Sequence, residues 1–141
     1  MYEPYTRQVL PSEKYRSLLG SAICVFNSNN SFIIENILNS DSENKYDWHS
    51  LIDLPSGNLE KSIKETISKS SNTEISKLFS ELINMRNRIV HSFQITDDKN
   101  EQLLATKKKD GKQFHITEDV LLDFIKKNEQ LSILLHDFRG Y

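Results

Sequence analysis

Apolar residues recur at helical spacing along most of the chain. Tyr15, Leu18, Leu19, Ala22, Ile23 and Phe26 fall in steps of three and four, and Ile33, Ile34, Ile37 and Leu38 resume in the same phase. This is the stripe of an amphipathic helix. Ser12, directly after Pro11, is placed as an N-cap, with Glu13 in the first turn. Between the two halves of the stripe lies Asn27-Ser28-Asn29-Asn30-Ser31, polar and poor in helix propensity. The retained phase predicts one long helix over about residues 12–40; a break near Asn29 is the alternative. Residues 1–11 hold Pro4 and Pro11, show no period, and predict a short arm.

Asp41 to Tyr46 reads as a polar loop. Asp47, Trp48, Leu51, Ile52 and Leu54 predict a short helical turn ended by Pro55. After the turn Ser56-Gly57-Asn58, Leu59, Ile63 and Ile67 predict a helix. Thr73 is a candidate cap for the next one, whose stripe runs Ile75, Leu78, Phe79, Leu82, Ile83, Met85, Ile89 and Val90, to about Gln94. The period then changes. Leu103–Thr106 and Gln113–Ile116 are short extended runs around Lys107-Lys108-Lys109-Asp110-Gly111-Lys112, a β-hairpin pattern over about 103–116. Thr117 caps a last helix striped by Val120, Leu121, Phe124, Ile125, Leu131, Leu134, Leu135 and Phe138, with Gly140 at its end and Tyr141 expected to fray. The fold class is therefore all-α: a bundle of about four to five helices with a small β-hairpin inserted before the C-terminal helix.

The chain of 141 residues fits a single domain, 1–141. Its 18 basic and 20 acidic residues give a formal net charge of -2, so an overall basic coat is excluded and any anion site must be a local cluster. Four scattered glycines exclude phosphate-loop and dinucleotide fingerprints. One cysteine, Cys24 in an apolar run, reads as core and excludes an internal disulfide framework, in keeping with a reducing compartment. No window is long and apolar enough for a membrane span, and Met1-Tyr2-Glu3-Pro4 lacks the layout of a secretion signal. A soluble cytoplasmic domain is expected.

His49, His91, His115 and His136 show no metal-ligand spacing, so no metal site and no cofactor are expected. Chemistry concentrates in Met85-Arg86-Asn87-Arg88-Ile89-Val90-His91-Ser92-Phe93. Guanidinium offers phosphate a planar fork of donors, and imidazole moves protons near neutrality. RNA supplies its own nucleophile, the 2′-OH, so a His and an Arg suffice without metal. On an ideal helix Arg86 and His91 lie about 140° apart. They converge if the helix distorts near Ile89 or if two copies face each other across a two-fold axis. The other reading is structural: an arginine capping carbonyls and a satisfied polar histidine.

Arg86-Asn87-x-x-x-His91 resembles the Arg-x(4–6)-His motif of the HEPN superfamily, small helical bundles that carry it near the end of a late helix. The likeness extends over about residues 12–138 in helix order; only Arg86 to His91 match as a motif. It implies a homodimer with a composite cleft and a metal-independent endoribonuclease, often a toxin or phage-defence effector with an antitoxin or regulatory partner. Carried over, His91 is the general acid or base, Arg86 the phosphate clamp and Asn87 a polar assistant. Arg88 lies outside the motif and is at most a phosphate contact. One toxin branch continues as His-x-Tyr; His91-Ser92-Phe93 has no hydroxyl there, which removes control through that tyrosine. Some members bind rather than cut, so a non-catalytic nucleotide- or protein-binding module is the alternative. A plain helical interaction protein is the third. Lys107, Lys108, Lys109 and Lys112 read either as a solvated hairpin tip or as RNA-backbone contacts. Trp48, without a periodic partner, reads as core or interface.

Overall fold

The computed structural model describes residues 2–140. Six α-helices and three strands follow in the order α1 (Glu13–Ser40), α2 (Trp48–Ile52), α3 (Glu60–Glu65), α4 (Ile67–Ser70), α5 (Glu74–Val90), β1 (Phe93–Thr96), β2 (Gln102–Lys107), β3 (Gln113–Ile116) and α6 (Glu118–Arg139). A 3₁₀ turn, Ser56–Leu59, precedes α3. The protein is thus mostly helical, with a small antiparallel sheet ahead of the last helix.

α1 is continuous through its polar patch. Ser12 Oγ accepts from the Tyr15 N–H and starts the helix. In the middle, buried Asn29 donates through Nδ2 to the Asn128 backbone oxygen at 2.7 Å and to Asn128 Oδ1 at 3.0 Å. Asn30 Oδ1 accepts from Ser56 Oγ at 2.7 Å. The weak helix formers are thus held by bonds to other elements, and tertiary contact overrides local propensity. Cys24 is exposed, not core. Ala22 and Phe26 are buried, and two residues' offset at 100° each turns Cys24 to the opposite face.

α1 and α6 run parallel. Lys14 pairs with Glu118, Asn29 with Asn128, Phe32 packs on His136, and Arg139 reaches the Glu35 carbonyl, so the contacts advance in the same sense along both helices. α5 runs antiparallel to α6. Phe26 of α1 sits where all three meet, its ring 6.0 Å from Phe79 of α5 and 6.2 Å from Phe124 of α6. Ile33, Ile34, Ile37, Leu82, Leu131 and Leu135 continue this core. α2, the 3₁₀ turn, α3 and α4 cover its remaining side through Leu51, Leu59, Ile63 and Ile67 in turn. The stripe expected to form one helix from Leu59 onward is interrupted at Thr66, where the backbone turns to φ -120° and ψ -79°. Trp48 stays 44% exposed, which excludes a core role.

Two boundaries differ from expectation. α5 ends at Val90 rather than near Gln94: the Ser92 hydroxyl donates to the Ile89 carbonyl at 2.6 Å and the chain turns out of the helix. Phe93–Thr96 then forms a strand, so the hairpin expected at 103–116 is the second half of a three-stranded sheet, order β1-β2-β3. Phe93 pairs with Ala105, and Ala105 with His115. Phe-Gln-Ile-Thr suits a strand by composition, but it becomes one only because β2 offers an edge. The Thr73 side chain makes no cap bond; Asn72 Oδ1 accepts from the Glu74 N–H instead.

Both sheet connections use the same three-residue geometry, closed by a residue at positive φ. Gly111 takes that place at φ 89° and Asn100 at φ 64°. In the β1–β2 loop the Asp97 carboxylate accepts from the N–H groups of Lys99 and Glu101. Thr117 Oγ1 caps α6 through Val120, and Gly140 ends it at φ 87°. Tyr141 lies outside the described residues. No helix among the described residues is long and apolar enough to cross a membrane.

Tyr15 joins α1 to the sheet. Its hydroxyl donates to the Ile116 carbonyl and accepts from the Leu104 N–H at 3.1 Å, and Leu104 and Ile116 face each other across β2 and β3. Tyr15→Phe leaves two backbone groups short of a partner, and a loss of about 1–3 kcal/mol is expected in urea unfolding. Burial raises the Tyr15 pKa above 10.0, against the opposing effect of the Leu104 N–H. The folded phenol therefore keeps its proton to higher pH than the unfolded one. Its contribution is complete below the unfolded value and is lost as pH rises through the folded value. Wild type should lose stability above the ordinary tyrosine pKa, and Tyr15→Phe should show a shallower fall in the same titration.

Candidate functional site

The last turns of α5 distribute the motif residues to different surroundings. Arg86 points at the core: its guanidinium carbon lies 4.9 Å from the centre of the Phe26 ring, and Nε donates to Asn87 Oδ1 at 3.1 Å. Its stem is half-buried, and no carboxylate stands within ion-pair distance among the described residues. Burial alone lowers its pKa below the usual guanidinium range, and it remains a cation at neutral pH.

His91 occupies the C-cap of α5. Its N–H donates to the Asn87 carbonyl at 2.9 Å, and its side chain is exposed with no hydrogen bond to a described residue. Val90 and Phe93, flanking it in the chain, are 57% and 43% exposed. Arg86 and His91 are separated by about 7.5 Å of helix rise. Within one chain they do not share a pocket.

Arg88 and, at its edge, the Arg86-bonded Asn87 line a groove of about 810 Å³ between α5, α6 and the β2–β3 hairpin. Leu82, Met85, Phe114, Val120 and Phe124 give it an apolar lining. Arg88 Nη1 donates to the Lys107 carbonyl at 2.6 Å and so ties the hairpin to α5. Lys108 and Lys109 line the same groove, with Lys108 Nζ 5.4 Å from the centre of the Phe114 ring. Lys107 and Lys112 are exposed on the hairpin and their side chains do not line it. At the far end Lys127 is held by Glu81 at 2.6 Å and Asp123 at 3.4 Å.

The sequence thus pointed to Asn87, Arg88, Lys108 and Lys109 but not to Asn84, Phe114, Asp119 or Lys127, which complete the groove. The polar spacing Glu81, Asn84, Arg88 on α5 was the available signal; which helix faces it depends on packing. No group of three or more His, Cys, Asp or Glu placed to hold a metal ion occurs among the described residues. No family model, curated protein or solved structure matches the chain.

Stacking on Phe26 gives Arg86 a structural share that can be separated from its charge. Arg86→Ala should lower stability by about 1–2 kcal/mol through lost packing and cation–π contact. Arg86→Met, which keeps the stem but not the charge, should recover the packing share, with both variants measured by urea unfolding. Equal stability of all three proteins would show that the stack contributes nothing.

Proposed function

We propose that the chain is a metal-independent endoribonuclease of HEPN type, working as a two-fold dimer in which two copies of the Arg86–His91 segment form one cleft. The observation that carries this reading is Arg86: a half-buried guanidinium with no carboxylate beside it, on the same helix end as an exposed histidine. Beyond the Phe26 stack and the Nε bond to Asn87, the guanidinium has no hydrogen-bond partner among the described residues, and an arriving phosphate supplies one. The exposed Val90 and Phe93 give apolar surface for a seam beside His91.

In the proposed reaction His91 of either copy takes the proton of a ribose 2′-OH. The 2′-oxygen attacks the adjacent phosphorus, the bond to the 5′-oxygen breaks, and that oxygen leaves with a proton given by the imidazolium of His91, from the same copy or the facing one. Arg86 stabilises the charge on the pentacoordinate phosphorus and Asn87 orients it. The products are a 2′,3′-cyclic phosphate and a 5′-hydroxyl. A toxin or phage-defence role, with a partner that restrains it, belongs to this same proposal. The separation of His91 from the groove that holds Asn87 and Arg88 favours a second reading, a nucleotide-binding module without cleavage.

Two measurements test the proposal. Light scattering at micromolar concentration should give a dimer, and Val90→Glu with Phe93→Glu should shift it to monomer. His91→Ala should reduce cleavage of total RNA in EDTA by about 10²–10³ or more with the circular dichroism spectrum unchanged. Equal cleavage by wild type and His91→Ala would remove His91 from the reaction, and binding without cleavage would leave the second reading.

A further inference from the structure

Apart from Asn87, the groove between α5, α6 and the hairpin is lined by residues that the cleavage chemistry does not use. Its ends differ in charge. Lys127 is neutralised by Glu81 and Asp123 at one end. Arg88, Lys108 and Lys109, at the hairpin, have no carboxylate within ion-pair distance among the described residues. In a chain of net charge -2 this is a local surplus of cations over an apolar, aromatic wall. From Glu81 to Arg88 the groove runs about 10 Å along α5, and its volume falls in the range of small-molecule sites.

From this juxtaposition we infer that the groove is a nucleotide subsite: a base packs against Phe114 and Met85, and its phosphate is held by Arg88, Lys108 and Lys109. Arg88 is already oriented by the Lys107 carbonyl, so little of its freedom is lost on binding. Lys108 lies over the Phe114 ring, and on binding its ammonium moves from that face to the phosphate and leaves the face to the base. Asn84 carries a donor and an acceptor for a base edge, and Asn87 Nδ2 a further donor, its Oδ1 being taken by Arg86. A fatty acid would use the apolar wall and the cations but leave those amides without a partner. The inference rests on the reading that the chain handles RNA. The nucleotide is either a free mononucleotide or one unit of an RNA chain, since both present the same base and phosphate.

Isothermal titration of the full chain separates these possibilities. The probes are AMP, UMP, adenosine, inorganic phosphate, decanoate and a 2′-deoxy hexanucleotide that cannot be cleaved. A nucleotide subsite binds AMP or UMP more tightly than adenosine, phosphate or decanoate. Stronger binding of the hexanucleotide than of either mononucleotide identifies an RNA unit as the source, and the reverse identifies the free nucleotide. Arg88→Ala and Lys109→Glu should each weaken binding about tenfold or more, as expected for loss of a charge-assisted contact. Lys99→Glu, on the other sheet loop, changes the net charge equally and should leave binding unchanged. Phe114→Leu keeps an apolar side chain at a half-buried position and should weaken the nucleotides while sparing phosphate. Decanoate or phosphate binding as tightly as AMP would overturn the inference, as would equal weakening by Lys99→Glu and Lys109→Glu. RNA cleavage by a protein that binds none of the probes would overturn the subsite and leave the ribonuclease reading standing. Groove binding by a protein that cleaves no RNA would do the reverse.

Discussion

Phe26 is the side chain on which the three long helices and the motif arginine converge. Its ring contacts Phe79 and Phe124, and the Arg86 guanidinium lies against it. Each aromatic pair adds about 0.5–1.5 kcal/mol beyond the area it buries. The larger consequence is positional. Phe26 fixes how far α5 stands from α1 and which face it turns inward. That choice places Arg86 against the core and leaves Asn87 and Arg88 to look toward α6.

A polar layer sets the register that the apolar core leaves open. Leu and Ile stripes slide past one another at modest cost, but the buried Asn29 amide finds its acceptors only when Asn128 stands opposite. A slipped register would bury that amide without a partner, at about 1–3 kcal/mol. The Asn128 side chain in turn donates to the Phe124 carbonyl, so the layer is linked to the ring stack one turn away. Tyr15 does the same for the sheet, pinning β2 and β3 to α1 from within the ladder. With α1 and α6 parallel and the sheet pinned near their starts, the hairpin comes to rest over the end of α5. Arg88 then finds the Lys107 carbonyl.

One short stretch of α5 therefore serves separate surfaces. At about 100° per residue, a run of polar residues at a helix end fans out over more than one face. Arg86 goes inward, Asn87 and Arg88 face the groove, and His91 sits at the exposed helix end. The surfaces share a rigid support, because the same helix is locked at Phe79 and Leu82 in the core.

Much of the fold was legible in the residues. The phase-matched stripe from Tyr15 to Leu38 fixed the long first helix, Ser12 and Thr117 marked two helix starts, and Asp110-Gly111 marked the turn between β2 and β3. These features are local: periodicity, caps and positive-φ turns depend on residues close in the chain. Features decided at long range were not legible. Phe93–Thr96 is a strand because β2 lies beside it, Asn29 is a buried bond rather than a helix break because Asn128 faces it, and Cys24 is exposed because the helix turns the other face inward. The motif itself stood out by composition, since arginines, an amide and a histidine are conspicuous at the end of an apolar stripe. Its partition did not: sequence names the polar groups on a helix, but only packing against Phe26, α6 and the hairpin determines which of them meet water, the core or each other.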